Sequence, residues 1–311
     1  MPGKGMDEPI AFFNGQYIPR SQLGISVVDS GFVLGVTIAE QIRTFRGQVF
    51  RAEDHLQRLW HSLEILSLQI DLTPSELLSI INHVVEHNHR LLDPEDDLGV
   101  SAFVTPGRYI GYSGPGPVIP TVCVHTYPLP FSLWASKYRS GQAAVTSRVR
   151  QVPISCWPRE LKCRSRMHYF LAEKEAQQRR PGSRAILLDQ DDLVTEAATA
   201  NVVICDQAGR LLAPPLNRTL PGISLKVVNE LAITLGIPFD FRPLTVADLE
   251  LAKEILFTST PYCILPVTEL NGQPVGNGKP GALFTQLLSA WSDLVKVDIV
   301  AQAARFCDRK A

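Results

Sequence analysis

Five features of the chain could do chemistry together, and each is weak alone. Lys162 lies in Glu160-Leu161-Lys162-Cys163, just ahead of a predicted helix, and Glu196 follows Asp192-Leu193-Val194-Thr195. Lone lysines and glutamates are usually surface residues. The third feature, Leu220-Pro221-Gly222-Ile223-Ser224, stands directly before a helix-periodic run with Val228, Leu231, Ala232 and Leu235. Glycine lets a ligand approach the backbone, and a helix N-terminus offers unpaired N–H groups and partial positive charge. With the Ser224 hydroxyl this makes a seat for a phosphate. Taken singly, a plain loop-to-helix junction explains the same residues. A small-hydroxyl turn, Thr258-Ser259-Thr260-Pro261, follows the strand-like Ile255-Leu256-Phe257 and could converge on the same anion. Arg58 sits off the Leu56/Leu59/Trp60/Leu63 stripe of its helix, on the flank of His55. The ordinary reading is a solvated arginine; the functional one is a guanidinium fork for a phosphate.

Read together, these residues are the set that pyridoxal phosphate requires. That cofactor needs a lysine amine for a Schiff base, a carboxylate against its pyridine nitrogen and a cup for its phosphate. A carboxylate about 4 Å from a pyridinium gains on the order of 4 kcal/mol at an effective dielectric near 20. That is about three pKa units before desolvation is subtracted, enough to keep the nitrogen protonated and the ring a good electron sink.

Their order and spacing resemble the class IV, fold-type IV pyridoxal phosphate enzymes, among them branched-chain aminotransferases, D-amino acid aminotransferases and aminodeoxychorismate lyase. The resemblance runs from about Ile10 to Trp291. Its N-terminal half rests on Ile25-Ser-Val-Val-Asp-Ser-Gly-Phe32, Gly35, Glu40, Phe50-Arg51 and His55-Leu-Gln-Arg58-Leu. The C-terminal half matches at Leu161-Lys162, Ala172-Glu-Lys-Glu-Ala176, Val194-Thr-Glu196, Asn201, Leu220-Pro-Gly-Ile-Ser224, Phe257-Thr-Ser-Thr260 and Pro266-Val267.

The resemblance implies that Lys162 carries the Schiff base and shuttles the proton, and that Glu196 faces the pyridine nitrogen. Arg58, the backbone of Ile223, Ser224 and Thr260, with Ser259 beside it, would hold the phosphate. It also implies a two-domain, homodimeric fold-type IV enzyme; the element pattern itself reads as α+β in two parts, and the composition as that of a cytoplasmic protein. A small N-terminal α/β domain spans residues 1–126, a linker 127–135, and a larger domain with a barrel-like sheet, carrying Lys162 and Glu196, 136–311. The expected reaction is transfer of an amino group from an amino acid or amine to a 2-oxo acid in a ping-pong cycle. Two alternatives stay open: elimination releasing pyruvate, as in aminodeoxychorismate lyase, and a cofactor-free, non-enzymatic homologue. The donor, the acceptor, and the choice among L-, D- and non-α amines are open as well.

The chain departs from the family where substrate is gripped. Leu34 precedes Gly35 where relatives often have tyrosine, Met167 stands five residues after the lysine, and Ser101 replaces a strand arginine. An α-carboxylate leaving water still needs partners. The candidates are Arg108, Tyr109 and Tyr112 after Thr105, and Arg164 and Arg166 after Lys162, with Arg108 or Arg166 favoured.

Other patterns carry no chemistry. Gly276-Asn277-Gly278-Lys279-Pro280-Gly281 matches GxGxxG by letter, but it follows a turn and too little chain remains for a nucleotide-binding unit. Six scattered cysteines lack the spacing of zinc or disulfide frameworks and read mostly as buried free thiols. His83, His87 and His89 read as a wet helix face, so no metal is expected. With 30 basic against 31 acidic residues and a net charge of −1, no basic excess invites nucleic acid or a membrane surface. No apolar run reaches the roughly 18–20 residues of a membrane span. The start of the chain lacks the apolar core of a signal peptide, and the residues before Met6 read as a short extension.

The elements that must position these residues follow from periodicity. Strands are expected at Ile10–Asn14, Tyr17–Pro19, Ile38–Phe45, Gly99–Thr105 and Thr121–Thr126, and a helix from Asp54. Thr73-Pro74-Ser75-Glu76 is a capping box opening a second helix. Beyond the stiff Tyr127-Pro128-Leu129-Pro130 boundary, strands at 143–149, 185–188, 201–205, 255–260 and 264–267 alternate with helices at 166–179, 223–235 and from 282.

Overall fold

The computed structural model describes residues 8–309, so the expected extension before Met6 lies outside the described residues. Its contacts group into two compact units, one of residues 8–129 with Leu161–Ser165, the other of Pro130–Glu160 with 166–309.

The first unit is an antiparallel sheet of β1 (Ile10–Phe13), β2 (Gln16–Pro19), β3 (Ile38–Phe45), β4 (Gln48–Val49), β5 (Leu98–Thr105) and β6 (Thr121–Pro128). Its order is β2-β1-β6-β5-β3-β4. Two short helical turns, α1 (Ser30–Val33) and α4 (Ile110–Ser113), flank α2 (Ala52–Ile65) and α3 (Pro74–His89), which pack on the sheet. Alternation along the strands sends Ile38, Glu40, Ile42, Val100, Val104 and Val124 toward Leu59, Leu63, Ile81 and Val84. The capping box holds as expected, with Glu76 N–H donating to Thr73 Oγ1 at 3.2 Å and Thr73 N–H donating to Glu76 Oε2 at 2.7 Å.

Two boundaries differ from the sequence reading. α2 begins at Ala52, because Arg51 in a left-handed conformation (φ 54°) turns the chain into it. β6 runs through Tyr127 and Pro128, pairing Leu98 with Pro128. β1 pairs β6 only at Val124 and Cys123, so Pro128 sits where no neighbour asks for an N–H.

In the second unit the strands are β7 (Gln142–Thr146), β8 (Arg184–Leu188), β9 (Val194–Ala197), β10 (Ala200–Cys205), β11 (Leu211–Ala213), β12 (Phe239–Phe241), β13 (Glu254–Ser259), β14 (Cys263–Leu270) and β15 (Gln273–Pro274). The helices are α5 (Lys137–Ser140), α6 (Met167–Arg179), α7 (Ile223–Thr234), α8 (Val246–Glu250), α9 (Ala282–Val295) and α10 (Ile299–Arg305). Six strands close on themselves in the order β10-β13-β14-β7-β8-β9, the ring completed by Asn201 against Glu196 and Ala200 against Ala197. A closed barrel leaves no unpaired edge. Periodicity misses β9, a four-residue strand buried along its whole length, because no alternation marks it. α6 lies close on the barrel through Ala172 and Ala176, packed on Val145, Ala185 and Leu187. The GxGxxG look-alike is the loop before α9, as read.

All six cysteines are free, but only Cys123, Cys205 and Cys263 are buried, whereas Cys156 is exposed and Cys163 and Cys307 half-buried. The buried three lie on strands; Cys156 and Cys307 sit in turns, and Cys163 pairs with Ile38 in a β-bridge. Among the described residues no group of three or more metal-ligating side chains forms, and no helix is long and apolar enough to cross a membrane.

Candidate active site

In the first unit, the sequence around Lys162 adds a short edge segment to β3. Ala39 N–H donates to Lys162 O at 3.0 Å, Arg164 N–H to Thr37 O at 2.8 Å, and Ile38 pairs with Cys163. Lys162 N–H donates to Ser62 Oγ at 3.2 Å, one turn along α2 from Arg58. The sequence pattern puts Lys162 with the larger C-terminal domain; its backbone pairing instead places residues 161–165 in the first unit.

Arg58 is not the solvated side chain that its position off the apolar stripe suggests. It is 8% exposed, and its Nε and Nη2 donate to Glu40 Oε1 and Oε2 at 2.8 and 2.7 Å. His55 Nδ1 meets Glu40 Oε2 at 2.7 Å. Burial alone would push the Glu40 carboxyl up. The Arg58 charge and hydrogen bonds outweigh it and hold Glu40 well below the usual carboxylate range. His55 goes down, chiefly through burial, with the Arg58 and Lys162 charges adding to it. The result is a neutral imidazole and an ionised Glu40–Arg58 pair, with the guanidinium fixed by a bidentate fork.

The second unit carries Glu196 and the helix start after Leu220. Glu196, on β9, is buried, and both of its oxygens accept. Oε1 receives Gln151 Nε2 at 2.6 Å and the Tyr169 hydroxyl; Oε2 receives Thr219 Oγ1 at 3.0 Å and Leu220 N–H at 3.1 Å. Asn201, opposite Glu196 across the β9–β10 pairing, donates through Nδ2 to Thr219 Oγ1 at 2.9 Å and Leu220 O at 2.8 Å. The carboxylate is therefore tied to the segment that runs straight into Pro221-Gly222-Ile223-Ser224.

That helix start suits an anion. Gly222 is the N-cap of α7 and no side chain caps it, while Ile223 and Ser224 are buried. A Cβ on Gly222 would come within 1.9 Å of Asn201 Oδ1, so only glycine fits. Across β10–β13, Thr258 faces Asn201, and its Oγ1 is buried without a partner. Ser259 donates its hydroxyl to Thr199 O at 2.7 Å, which commits it to the chain, and half-buried Thr260 follows at the turn. An uncapped helix start, an orphaned hydroxyl and an anchored carboxylate fit the phosphate and ring nitrogen of pyridoxal phosphate.

The substrate candidates separate. Arg108 donates from Nε to Ser113 Oγ at 3.0 Å and from Nη2 to Ser113 O at 3.1 Å and to Gly114 O, so it clasps its own loop. Tyr109 and Tyr112 meet edge to face at 5.3 Å, Tyr112 largely exposed. Arg164 Nη2 donates at 2.7 Å to Ser101 Oγ, the very position that lacks the family's arginine, and Gln41 Nε2 reaches the same hydroxyl at 2.9 Å. Arg166 is the N-cap of α6, beside His168 and Tyr169. Neither favoured arginine, Arg108 or Arg166, stands against Ser101; Arg164 does.

Sequence pattern misses four residues around Glu196 and Glu40. Gln151 and Tyr169 lie far from Glu196 in sequence, and His55 reads as an ordinary helix flank. Arg159 is 7% exposed with an unpartnered Nε; burial lowers its pKa and the Glu196 charge opposes that. A buried arginine leaves no signature in the sequence.

Comparison with known proteins agrees. The family described as amino-transferase class IV matches residues 37–270. A protein provisionally named branched-chain-amino-acid aminotransferase from Methanocaldococcus jannaschii is 29% identical over 287 residues, covering 91% of this chain and 95% of its own. The D-alanine aminotransferase of Bacillus licheniformis is 28% identical over 280 residues, covering 89% and 94%. Among solved structures, the branched-chain amino acid aminotransferase of Escherichia coli superposes with a TM-score of 0.85 at 24% identity, covering 93% of this chain and 95% of its own. Another branched-chain amino acid aminotransferase, solved in complex with N-(5'-phosphopyridoxyl)-L-glutamate, superposes with a TM-score of 0.81 at 22% identity, covering 95% of each chain. The chain belongs to the class IV aminotransferases. Its fold is fold-type IV, and its family chemistry is pyridoxal phosphate-dependent transamination; elimination is not favoured.

Proposed function

We propose that this aminotransferase binds its cofactor with Lys162, Glu196, Arg58, Ile223, Ser224 and Thr260, and passes an amino group from an amino acid to a 2-oxo acid. The observation that carries the reading is the continuous link from Glu196 through Thr219 and Leu220 to the uncapped start of α7. It joins a buried carboxylate to an anion seat. Pyridoxal phosphate, when bound, supplies an aldehyde to accept the amino group and a ring to withdraw electrons.

Glu196 holds a proton at the ring nitrogen. The N–H groups of Ile223 and Ser224 and the Ser224 hydroxyl hold the phosphate, and Arg58, oriented by Glu40, adds positive charge. Lys162 Nζ would hold the cofactor's aldehyde end and would move the proton at the substrate Cα. Arg164, set against Ser101, binds the substrate carboxylate. The test is a half-reaction: with a suitable amino acid and no acceptor, each subunit should release one equivalent of the matching 2-oxo acid and keep the amino group. Continuous release of pyruvate without an acceptor would mean elimination instead.

We also propose a cytoplasmic homodimer whose domains divide near residues 127–135. Support for the dimer is an exposed apolar surface on two linked loops, with Val27 at 73%, Phe32 at 71% and Ile119 at 73% exposure. Asp29 ties these loops together, accepting from Thr105 Oγ1 and Thr121 Oγ1, each at 2.9 Å. Patches of this kind mark interfaces. Sedimentation should find a dimer, and Phe32→Asp should weaken it; a monomeric parent would overturn the proposal. Free thiols at all six cysteines suit a reducing compartment.

A further inference from the structure

The Glu196 carboxylate accepts four hydrogen bonds from the chain itself, two on each oxygen. The two oxygens are held differently. Thr219 and Leu220, on Oε2, belong to the segment that Asn201 pins, so they come with the phosphate seat. Oε1 depends on two side chains from elsewhere: Gln151, after β7, and Tyr169, in the first turn of α6.

Their hydrogen bonds have a fixed direction. Val152 N–H donates to Gln151 Oε1 at 3.0 Å, which sets the amide so that its Nε2 points at Glu196. The same Nε2 donates to the Tyr169 hydroxyl oxygen at 3.0 Å, so the single phenolic proton is left for Glu196. Burial and the neighbouring carboxylate hold the Tyr169 phenol well above its ordinary range, so it remains a donor. Gln151, Tyr169 and Glu196 form a closed ring in which each of the three donated protons has its own acceptor.

We propose that Tyr169 and Gln151 are positioning residues that act on the cofactor through Glu196, locking the rotation of its carboxylate so that it stays aimed at the ring nitrogen. The proposal rests on the reading of Glu196 as the partner of that nitrogen. Without these donors Oε1 is held by nothing and the carboxylate can turn about the Oε2 contacts. With them, any turn breaks charge-assisted bonds on both sides. Lys162 and the phosphate seat are untouched by the change.

The test titrates cofactor-free protein with pyridoxal phosphate and follows protein fluorescence, for Tyr169→Phe and Gln151→Met, each in the parent and in Glu196→Gln. Loss of one bond to an ionised acceptor corresponds to about a ten- to hundredfold weaker Kd in the parent. In the Glu196→Gln background the same change should cost no more than about twofold, because the route to the cofactor is gone. Gln151→Glu, which keeps the size but faces Glu196 with a like charge, should weaken binding more than Gln151→Met. Equal losses in both backgrounds would overturn the proposal. So would lower thermal stability of the cofactor-free variants with Kd unchanged, which is the signature of a packing role. If Tyr169→Phe fails to fold, the Gln151 pair decides alone. Should Glu196→Gln bind the cofactor as tightly as the parent, the reading of Glu196 itself fails, and this arm identifies that failure separately.

Discussion

Removing the Arg58 guanidinium should destabilise the first unit even before cofactor enters the question. Glu40 is 1% exposed and takes two bonds from Arg58, at 2.8 and 2.7 Å. In Arg58→Ala the carboxylate stays buried with only His55 beside it. Two unit charges about 4 Å apart interact by on the order of 4 kcal/mol at an effective dielectric near 20. Breaking a buried pair from one side costs about 3–5 kcal/mol, which agrees. At about 2–4 °C per kcal/mol for a large chain, melting should fall by roughly 6–20 °C.

The pH dependence carries the mechanism. In the parent, Glu40 is depressed, so its contribution is present above the ordinary carboxylate value near 4.5 and is lost as pH falls below it. In the variant the sign reverses: a proton on His55, or on Glu40, relieves the uncompensated charge. The deficit should therefore be largest above pH ~7 and shrink as pH falls through about 6.5, the free histidine value. Adding Glu40→Gln to Arg58→Ala should recover part of the loss at neutral pH. The assay is urea or thermal unfolding of cofactor-free protein at several pH values. A variant within about 1 kcal/mol of the parent at pH 7 would refute the reasoning, since surface arginines behave that way.

Three further outcomes follow. Gly222→Ala drives a Cβ to within 1.9 Å of Asn201 Oδ1, so a stability loss of about 1–3 kcal/mol and weaker cofactor retention are expected; an unaffected variant would show the seat to be looser than its geometry. His168, pushed down to about 4 by burial and the Arg159 and Arg166 charges, binds its proton more weakly folded than unfolded. Stability should thus fall as pH drops from about 6.5 to 4, and His168→Gln should flatten that slope in acid unfolding; an NMR titration midpoint near 6.5 would contradict this. Arg164→Ala should raise the donor KM by about ten- to a hundredfold with cofactor absorbance unchanged, whereas Arg108→Ala should leave KM alone.

Much of this site was legible because its signals are local. The α3 capping box, the Gly222-Ile223-Ser224 helix start and the Lys162 and Glu196 positions are read from neighbouring residues, and the resemblance supplies their roles. What escaped depends on distant pairings. Arg58 looked solvated because helical periodicity scores apolar side chains, and nothing in Glu40, 18 residues away, announces that it will bury a guanidinium. Lys162 reads with the larger domain by its place in the sequence, whereas its backbone pairing with Ala39 groups it by contacts with residues 8–129. Sequence alone favours Arg108 over Arg164, and only the positions of Ser101 and Ser113 in space show Arg164 reaching Ser101 while Arg108 holds its own loop. β9 carries Glu196 yet has no alternation, because both of its faces are buried.

The central claim, that Lys162 carries the cofactor, is tested most directly by trapping. Borohydride reduction of the holoenzyme, followed by proteolysis and mass spectrometry, should find the pyridoxyl group on the peptide containing Lys162, at about one per subunit. Lys162→Arg should take up no label under the same treatment. A pyridoxyl group mapped to any other lysine, or a parent protein that binds the cofactor but cannot be labelled, would contradict the account.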